Sequence, residues 1–434
     1  MVPDLPSPSR RALLAGAGAA IAGATVGVGA VAPTALPDPV TDQASKWLPD
    51  PTDHRWHPPV SEAHARDAVE RLAAEVERGR DLWDELDTDE RFGGAGGWLE
   101  SARESLRADK YREATFYATG GMQFAAEEVG IALARLDRPE GDPEHLAERG
   151  ESIRERADRL LDEIDGYRVV DPGRDLGWYH EIERRIRLVR FDANERDPDR
   201  DREYDARDIG SIHAGNRQAA QRVRDAEHYR DQLEELIGDD SDGDGEPWAD
   251  RIERLDGRFR AAIDEFPSRG DLRAEIEAIE DEHGPGPYYT ARWKLSMWCY
   301  DADYLVADWD EDLALVNAVE AGQALAQRRA HDRAVDALVM DPGGPRSFDS
   351  GHVVREKRAA MKRFRRVVGE SPSPLLSILT ERAGEDIDVA EVGFSGSYER
   401  PIWRDRVDAY CYALIGRMKL KEYPRVYERF VAAE

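Results

Sequence analysis

Trp298, Asp301, Leu305 and Asp308 recur at helical spacing within the segment 289–312, so one helix face presents an indole and two carboxylates together. An aromatic ring that can stack on a sugar, beside an acid that can move a proton, is the pairing used in glycoside hydrolysis. Asp301 and Asp308 are seven residues apart, about 10 Å along a helix axis. That separation slightly exceeds the range of an inverting acid pair, so a second catalytic acid would have to come from another helix. The same face also reads as a central helix whose aspartates pair with arginines.

Metal chemistry has fewer supports. Asp240, Asp242, Asp244 and Gly245 occupy the first, third, fifth and sixth places of a calcium loop, but Arg251 falls at the twelfth, where a bidentate Glu belongs. The segment therefore reads as a solvated acidic linker. Asp53, His54, His57 and His64 gather borderline ligands near a proline-rich stretch. His180 and Glu183 share a helix face, as do Asp225 and His228. A di-iron bundle needs two Glu-x-x-His motifs and two further glutamates, and this set cannot be assembled. No metal and no cofactor are expected.

The elements that must position these residues are helices. Ala65, Val69, Leu72, Val76, Gly79 and Trp83 step by three and four, and so do Tyr111, Ala114, Ala118, Met122, Ala125 and Val129. Gly120-Gly121 marks a kink or a close approach in the second of these helices. Asp142-Pro143 opens another helix, a capping residue followed by proline in the first turn. Comparable stripes continue to the C-terminus, where Pro424 is expected to allow a new start. Arg168-Val169-Val170 and Ile387-Asp388-Val389 are the only strand candidates, so a sheet is improbable. The expected fold is all-α, an antiparallel helical bundle or stacked helical hairpins after an N-terminal signal. The chain divides into a signal or anchor (1–35), a Pro-rich tether (36–60), a helical subdomain (61–237), an acidic linker (238–247) and a second helical subdomain (248–434).

Trp98, Tyr111 and Ala114, with the turn Ala108-Asp109-Lys110, resemble a tetratricopeptide-type hairpin, as do Tyr423, Val426, Phe430 and Ala433. Ala118 stands where that pattern wants a large aromatic, and no regular period links the copies. Arg355, Lys357, Arg358, Lys362, Arg363 and neighbouring arginines form a basic helix with an apolar side. It could dock on an anionic surface, or pair with acidic helices of the same chain. Cys299 and Cys411 each lie between aromatics and read as buried thiols.

Ser9-Arg10-Arg11-Ala12-Leu13-Leu14 precedes an uncharged run that reaches Ala32. This stretch resembles a twin-arginine signal, which implies export of the folded protein by the twin-arginine translocase to the cell surface or beyond. Residues 12–32 are just long enough to serve instead as a membrane anchor. The formal net charge is −29, and only seven of the 61 basic residues are lysine. Such a balance resembles a haloarchaeal protein, in which dense carboxylates hold water and hydrated cations in concentrated salt. Phosphate backbones would be repelled, so nucleic acid is excluded as a partner.

Two readings of function follow. One is an exported, halophilic helical binding or scaffold protein for a protein or glycan ligand, with Trp298 as a candidate contact. The other is a secreted carbohydrate-active enzyme on an all-helical toroid, with Asp301 and Asp308 as its acids. Both require export. Replacing Arg10 and Arg11 together by lysine keeps the charge but removes the guanidinium pair, and is expected to leave the protein in the cytoplasm. Secretion of the double variant at the wild-type level, measured by cell fractionation, contradicts the twin-arginine reading.

Overall fold

The computed structural model describes residues 33–49, 51, 55–86, 88, 90–93, 95–164, 168–195, 203–240, 246–304, 312–393 and 401–432. Fourteen α-helices dominate them, and the only sheet among them is one antiparallel pair, β1 (Arg168–Val169) with β2 (Glu246–Pro247). The fold is all-α, built from antiparallel helices. Two compact units emerge, one formed by Trp56–Asp256 with Trp309–Val319, the other by Gly257–Asp308, Glu320–Glu434 and the described part of Met1–Arg55. Among the described residues no helix is long and apolar enough to cross a membrane.

The first unit begins with α2 (Glu62–Glu85), after α1 (Asp38–Lys46), which belongs to the other unit. Ser61 caps α2 by accepting the His64 amide at 3.2 Å. The stripe of Ala65, Val69, Leu72 and Val76 packs with Ala114, Ala118, Met122 and Ala125 of α4 (Tyr111–Arg135), and Leu99 and Ala102 of α3 (Gly96–Arg107) complete that core. The α3–α4 hairpin turns through Asp109 at φ 57°, a left-handed conformation that Asp tolerates better than most residues. Helices α5 (Pro143–Ile164), α6 (Pro172–Glu195) and α7 (Ala206–Asp240) follow.

Where α4 crosses α7 the backbones touch. A Cβ on Gly130 would stand 2.8 Å from the Gly210 Cα, and one on Gly210 would stand 2.6 Å from the Glu127 carbonyl oxygen. Only paired glycines allow that approach.

In the second unit, α14 (Ile402–Val431) is central. Its Val407, Tyr410, Leu414 and Met418 pack with Leu295 of α10 (Pro287–Tyr304), Ala330 of α11 (Ala314–Asp336) and Val353 of α12 (Gly351–Val368). The unit also holds α9 (Arg269–His283) and α13 (Pro374–Asp388), and the division between the units falls within α8 (Trp248–Asp264), after Asp256.

Three local expectations are revised. Pro424 does not restart a helix but lies inside α14. A proline there leaves the Leu420 carbonyl without its helical donor, and Arg363 Nε of α12 supplies one at 3.2 Å. Ile387 and Asp388 close α13 instead of forming a strand, because Ile387 is fully buried against Gly416 of α14. Within the Pro-rich stretch, 38–46 is helical. Nine residues are too few for a stable isolated helix, and α1 is held by a bidentate pair from Arg406 to Asp42, with bonds of 2.9 and 2.8 Å.

Gly210→Ala should destabilise the first unit by about 1–3 kcal/mol through overpacking, although alanine favours helices. Gly257, exposed in α8 with nothing near its missing Cβ, provides the contrast. Gly257→Ala should stabilise by about 0.4–1 kcal/mol. Denaturant melts of the two variants test the pair, and equal effects would contradict the crossing.

Candidate functional site

Three features with chemical potential stand out among the described residues: an aromatic surface and a polar interior in the first unit, and a cleft in the second.

The aromatic surface is built on α4. Phe116, Gly120 and Phe124 follow one another at i, i+4 and i+8, on the side of α4 away from the Ala114/Ala118/Met122 stripe. The two phenylalanines are 65% and 44% exposed. Between them the glycines open a notch that Trp98 of α3 fills. A Cβ on Gly120 would meet the indole at 2.8 Å, and one on Gly121 would meet the Trp98 Cβ at 2.7 Å. The Trp98 ring lies 5.6 Å from Phe124 at an interplanar angle of 24°, 6.0 Å from Tyr117 and 6.5 Å from Phe116. The result is a ladder of rings whose outer members are about 12 Å apart along the axis.

One end of the ladder opens into a groove of about 580 Å³ lined by Gly96, Gly97, Trp98, Phe124, Glu127 and Glu128. Glu128 accepts the Gly93 amide at 2.9 Å, while its own carbonyl accepts Trp83 Nε1 at 3.0 Å. The Glu127 carboxylate makes no hydrogen bond or ion pair among the described residues and is available to a ligand.

The polar interior lies among α2, α5, α6 and α7. His64 donates to Asp225 at 2.8 Å, Gln221 donates to the same oxygen at 2.9 Å, and the His64 and His228 rings stack at 4.3 Å. The structure thus brings together His64 and the Asp225/His228 pair, which the sequence offers separately. Asp53 and His54 lie outside the described residues, and no group of three His, Cys, Asp or Glu among the described residues could hold a metal ion. Glu183, which shares a helix face with His180, caps the start of α11 by accepting the Leu315 and Val316 amides at 3.3 and 2.7 Å. Cys411 is a buried thiol whose pKa is pushed up by burial.

In the second unit, the Gly284–Pro287 and Asp341–Pro345 loops border a cleft of about 390 Å³ with His283, Tyr289, Phe348 and His352 on its walls. Arg355 lies 2.8 Å from His352 Nδ1, and burial followed by that guanidinium lowers the imidazole pKa. Of the basic residues of α12, Lys357 is fully buried with Glu391 at 3.7 Å, so part of that cluster serves the interior.

The residues that sequence spacing nominated lie elsewhere. Asp308, Asp242, Asp244, Arg10 and Arg11 are outside the described residues, and so are the side chains of Trp298, Cys299, Asp301 and Asp240. Sequence spacing assigns Trp98 to a tetratricopeptide-type hairpin and so does not single out the ladder. The signal was present in Phe116-x3-Gly120-x3-Phe124, two large rings on a helix face that should be polar.

Residues 63–244 match a family model described as Domain of unknown function (DUF8262). Residues 245–432 match a second, described as Domain of unknown function (DUF8264). The ladder and the polar interior fall within the first match and the cleft within the second. The two matches meet inside the acidic segment 238–247, whereas the first compact unit also recruits Trp309–Val319 from the second match. No curated protein and no solved structure matches the chain.

His213 of α7 gives the polar interior a measurable signature. Its ring is fully buried, Nδ1 faces the Ala126 carbonyl at 3.0 Å, and Nε2 has no partner. Burial above all, with Arg149 and Arg217 adding to it, lowers its pKa from 6.5 to about 4. The unfolded chain therefore binds a proton near pH 6.5 that the fold refuses until about pH 4. The stability associated with the neutral ring is present above pH 6.5 and is lost as the pH falls through about 4, by on the order of 3 kcal/mol. His213→Asn should remove that part of the acid slope in urea melts between pH 7 and 4, and an unchanged slope would contradict the assignment.

Proposed function

We propose that this chain is an exported, halophilic helical binding protein that presents the Phe116–Trp98–Phe124 ladder to a glycan. One observation carries the reading, the built exposure of that ladder. Leaving large rings in water forgoes roughly 1.5–3 kcal/mol for each that could be buried, and contiguous apolar surface of this kind marks an interaction site. Gly120 and Gly121 are shaped around Trp98, so the rings are held in place and little ordering remains to be done on binding.

The chemistry around the rings favours a sugar over a purely apolar partner. A pyranose has an apolar C–H face that lies against an aromatic ring and a rim of hydroxyls that need acceptors. Glu127 offers a carboxylate beside Phe124, and an ionised carboxylate accepts through both oxygens. The ladder is long enough to seat more than one ring of an oligosaccharide. Export is supported by Arg10-Arg11 and the uncharged run behind them, and the halophilic reading by the net charge of −29.

Trp98 supplies the test. Titration with a panel of neutral and acidic di-, tri- and tetrasaccharides should perturb its fluorescence. Phe116→Ala and Phe124→Ala should each weaken binding by about tenfold or more, the usual cost of truncating an aromatic anchor, with helicity unchanged. If no sugar binds while a protein partner is lost on the same substitutions, the platform serves protein docking and the glycan reading falls.

A further inference from the structure

The net charge of −29 makes any local excess of positive charge informative, and one lies where α2, α5 and α7 meet. Helices α2 and α7 run antiparallel and exchange side chains in matching order. Arg71 Nε donates to Gln221 Oε1 at 3.0 Å, and one helical turn away Arg217 pairs with Glu75. Positions 71, 75 and 78 lie on one face of α2, and 217, 221 and 224 on the facing side of α7. From the other flank α5 is fixed to α7 by Asn216, which donates to the Leu146 carbonyl at 2.8 Å, and by Gly150, whose missing Cβ would stand 3.1 Å from the Asn216 oxygen. Arg149 is therefore set beside the Arg217 level of α7.

The charges there do not balance. Arg71, Arg149, Arg217 and Arg224 share the groove with two carboxylates, Asp67 and Glu75. Asp67 pairs with Arg71 and Glu75 with Arg217. Arg149 and Arg224 have no hydrogen bond or ion pair among the described residues. Burial and the charges of Arg217, Arg78 and Arg224 push the Arg149 guanidinium down to about 10, and burial with Arg71 and Arg156 lowers Arg224. Two more donors, Arg71 Nη2 and Arg217 Nε, are buried without an acceptor, and one oxygen of Glu75 is buried without a donor. The groove nevertheless reaches solvent, since the Arg71 and Arg217 side chains are 21% and 28% exposed.

We propose that this groove binds a small tetrahedral oxyanion, phosphate or the phosphoryl group of a small metabolite. A planar carboxylate engages one guanidinium fork. A tetrahedral oxyanion offers oxygens to arginines arriving from three helices at once, and guanidinium is the side chain best suited to such bidentate contact. Glu75 competes with the ligand for Arg217 and sets the affinity. The site shares no residue with the aromatic ladder and does not depend on the glycan reading.

Isothermal titration of the full chain with sodium phosphate and with phenyl phosphate, against sodium chloride at matched ionic strength, tests the proposal. Saturable binding of at least one phosphate species at a single site is expected. Tighter phenyl phosphate points to a metabolite, tighter inorganic phosphate to the free ion, and both support the site. Arg149→Gln and Arg224→Gln should each weaken binding by about tenfold or more, the loss of a charge-assisted contact. In phosphate-free buffer the same variants should melt at or above the wild-type temperature, because each removes repulsion and breaks no ion pair. Glu75→Gln should bind more tightly, a gain that misfolding cannot produce. The proposal is overturned if phosphate produces no more heat than chloride, or if Arg149→Gln and Arg224→Gln bind it as the wild type does.

Discussion

How closely two helices can approach is limited by the atoms that project between them, and the first unit depends on that limit being lowered along α4. Gly120 and Gly121 admit Trp98 and Leu72, and Gly130 meets Gly210 of α7. With side chains at these places α3 and α7 would both have to move outward, since packed interiors have almost no free volume to absorb a methyl group. The ring ladder and the arginine groove are thus consequences of one small-residue surface. The first needs the notch at Gly120, and the second needs α7 to sit where the Gly130–Gly210 crossing puts it.

The interior built around this surface holds several buried carboxylates, among them Asp175, Glu183 and Asp192. Buried ions are tolerated only when paired or hydrogen-bonded, because desolvation costs several kcal/mol per ion. The fold meets that requirement locally and in different ways. Asp175 accepts the Val170 and Asp171 amides, both at 2.8 Å, Asp192 pairs with Arg222, and Glu183 caps α11. Against this background the groove at Arg149 and Arg224 differs in having donors in excess.

Much of the architecture was legible in the sequence because narrow apolar stripes at three- and four-residue spacing have a single structural meaning. The Ala65–Val76 stripe and the turn at Asp109 both behave as the pattern implies. What the sequence hid were compensations between distant residues. Nothing near Pro424 announces that Arg363 will take the Leu420 carbonyl, and nothing near Asp42 announces Arg406. The candidate sites were less legible for a related reason. Charged residues on a helix normally face water, so Arg71, Arg149 and Arg217 read as surface until three helices are placed side by side. Phe116 and Phe124 could have been found by asking which faces break the polar rule, whereas Trp298 drew attention because its own helix is apolar on several sides.

Glu183 and the amides of Leu315 and Val316 are 132 and 133 residues apart in the chain. That separation has a consequence for the order of events during synthesis. The first unit cannot complete its core when its own contiguous stretch has left the ribosome, because the segment that donates two amides to Glu183 and supplies Leu313 and Val316 to the core has yet to be made. Until then the nascent chain must carry an exposed core seam, and Glu183 lacks these two amide donors. The two matched regions are therefore one folding problem, and cutting between them at 244 and 245 would leave the first without its last piece.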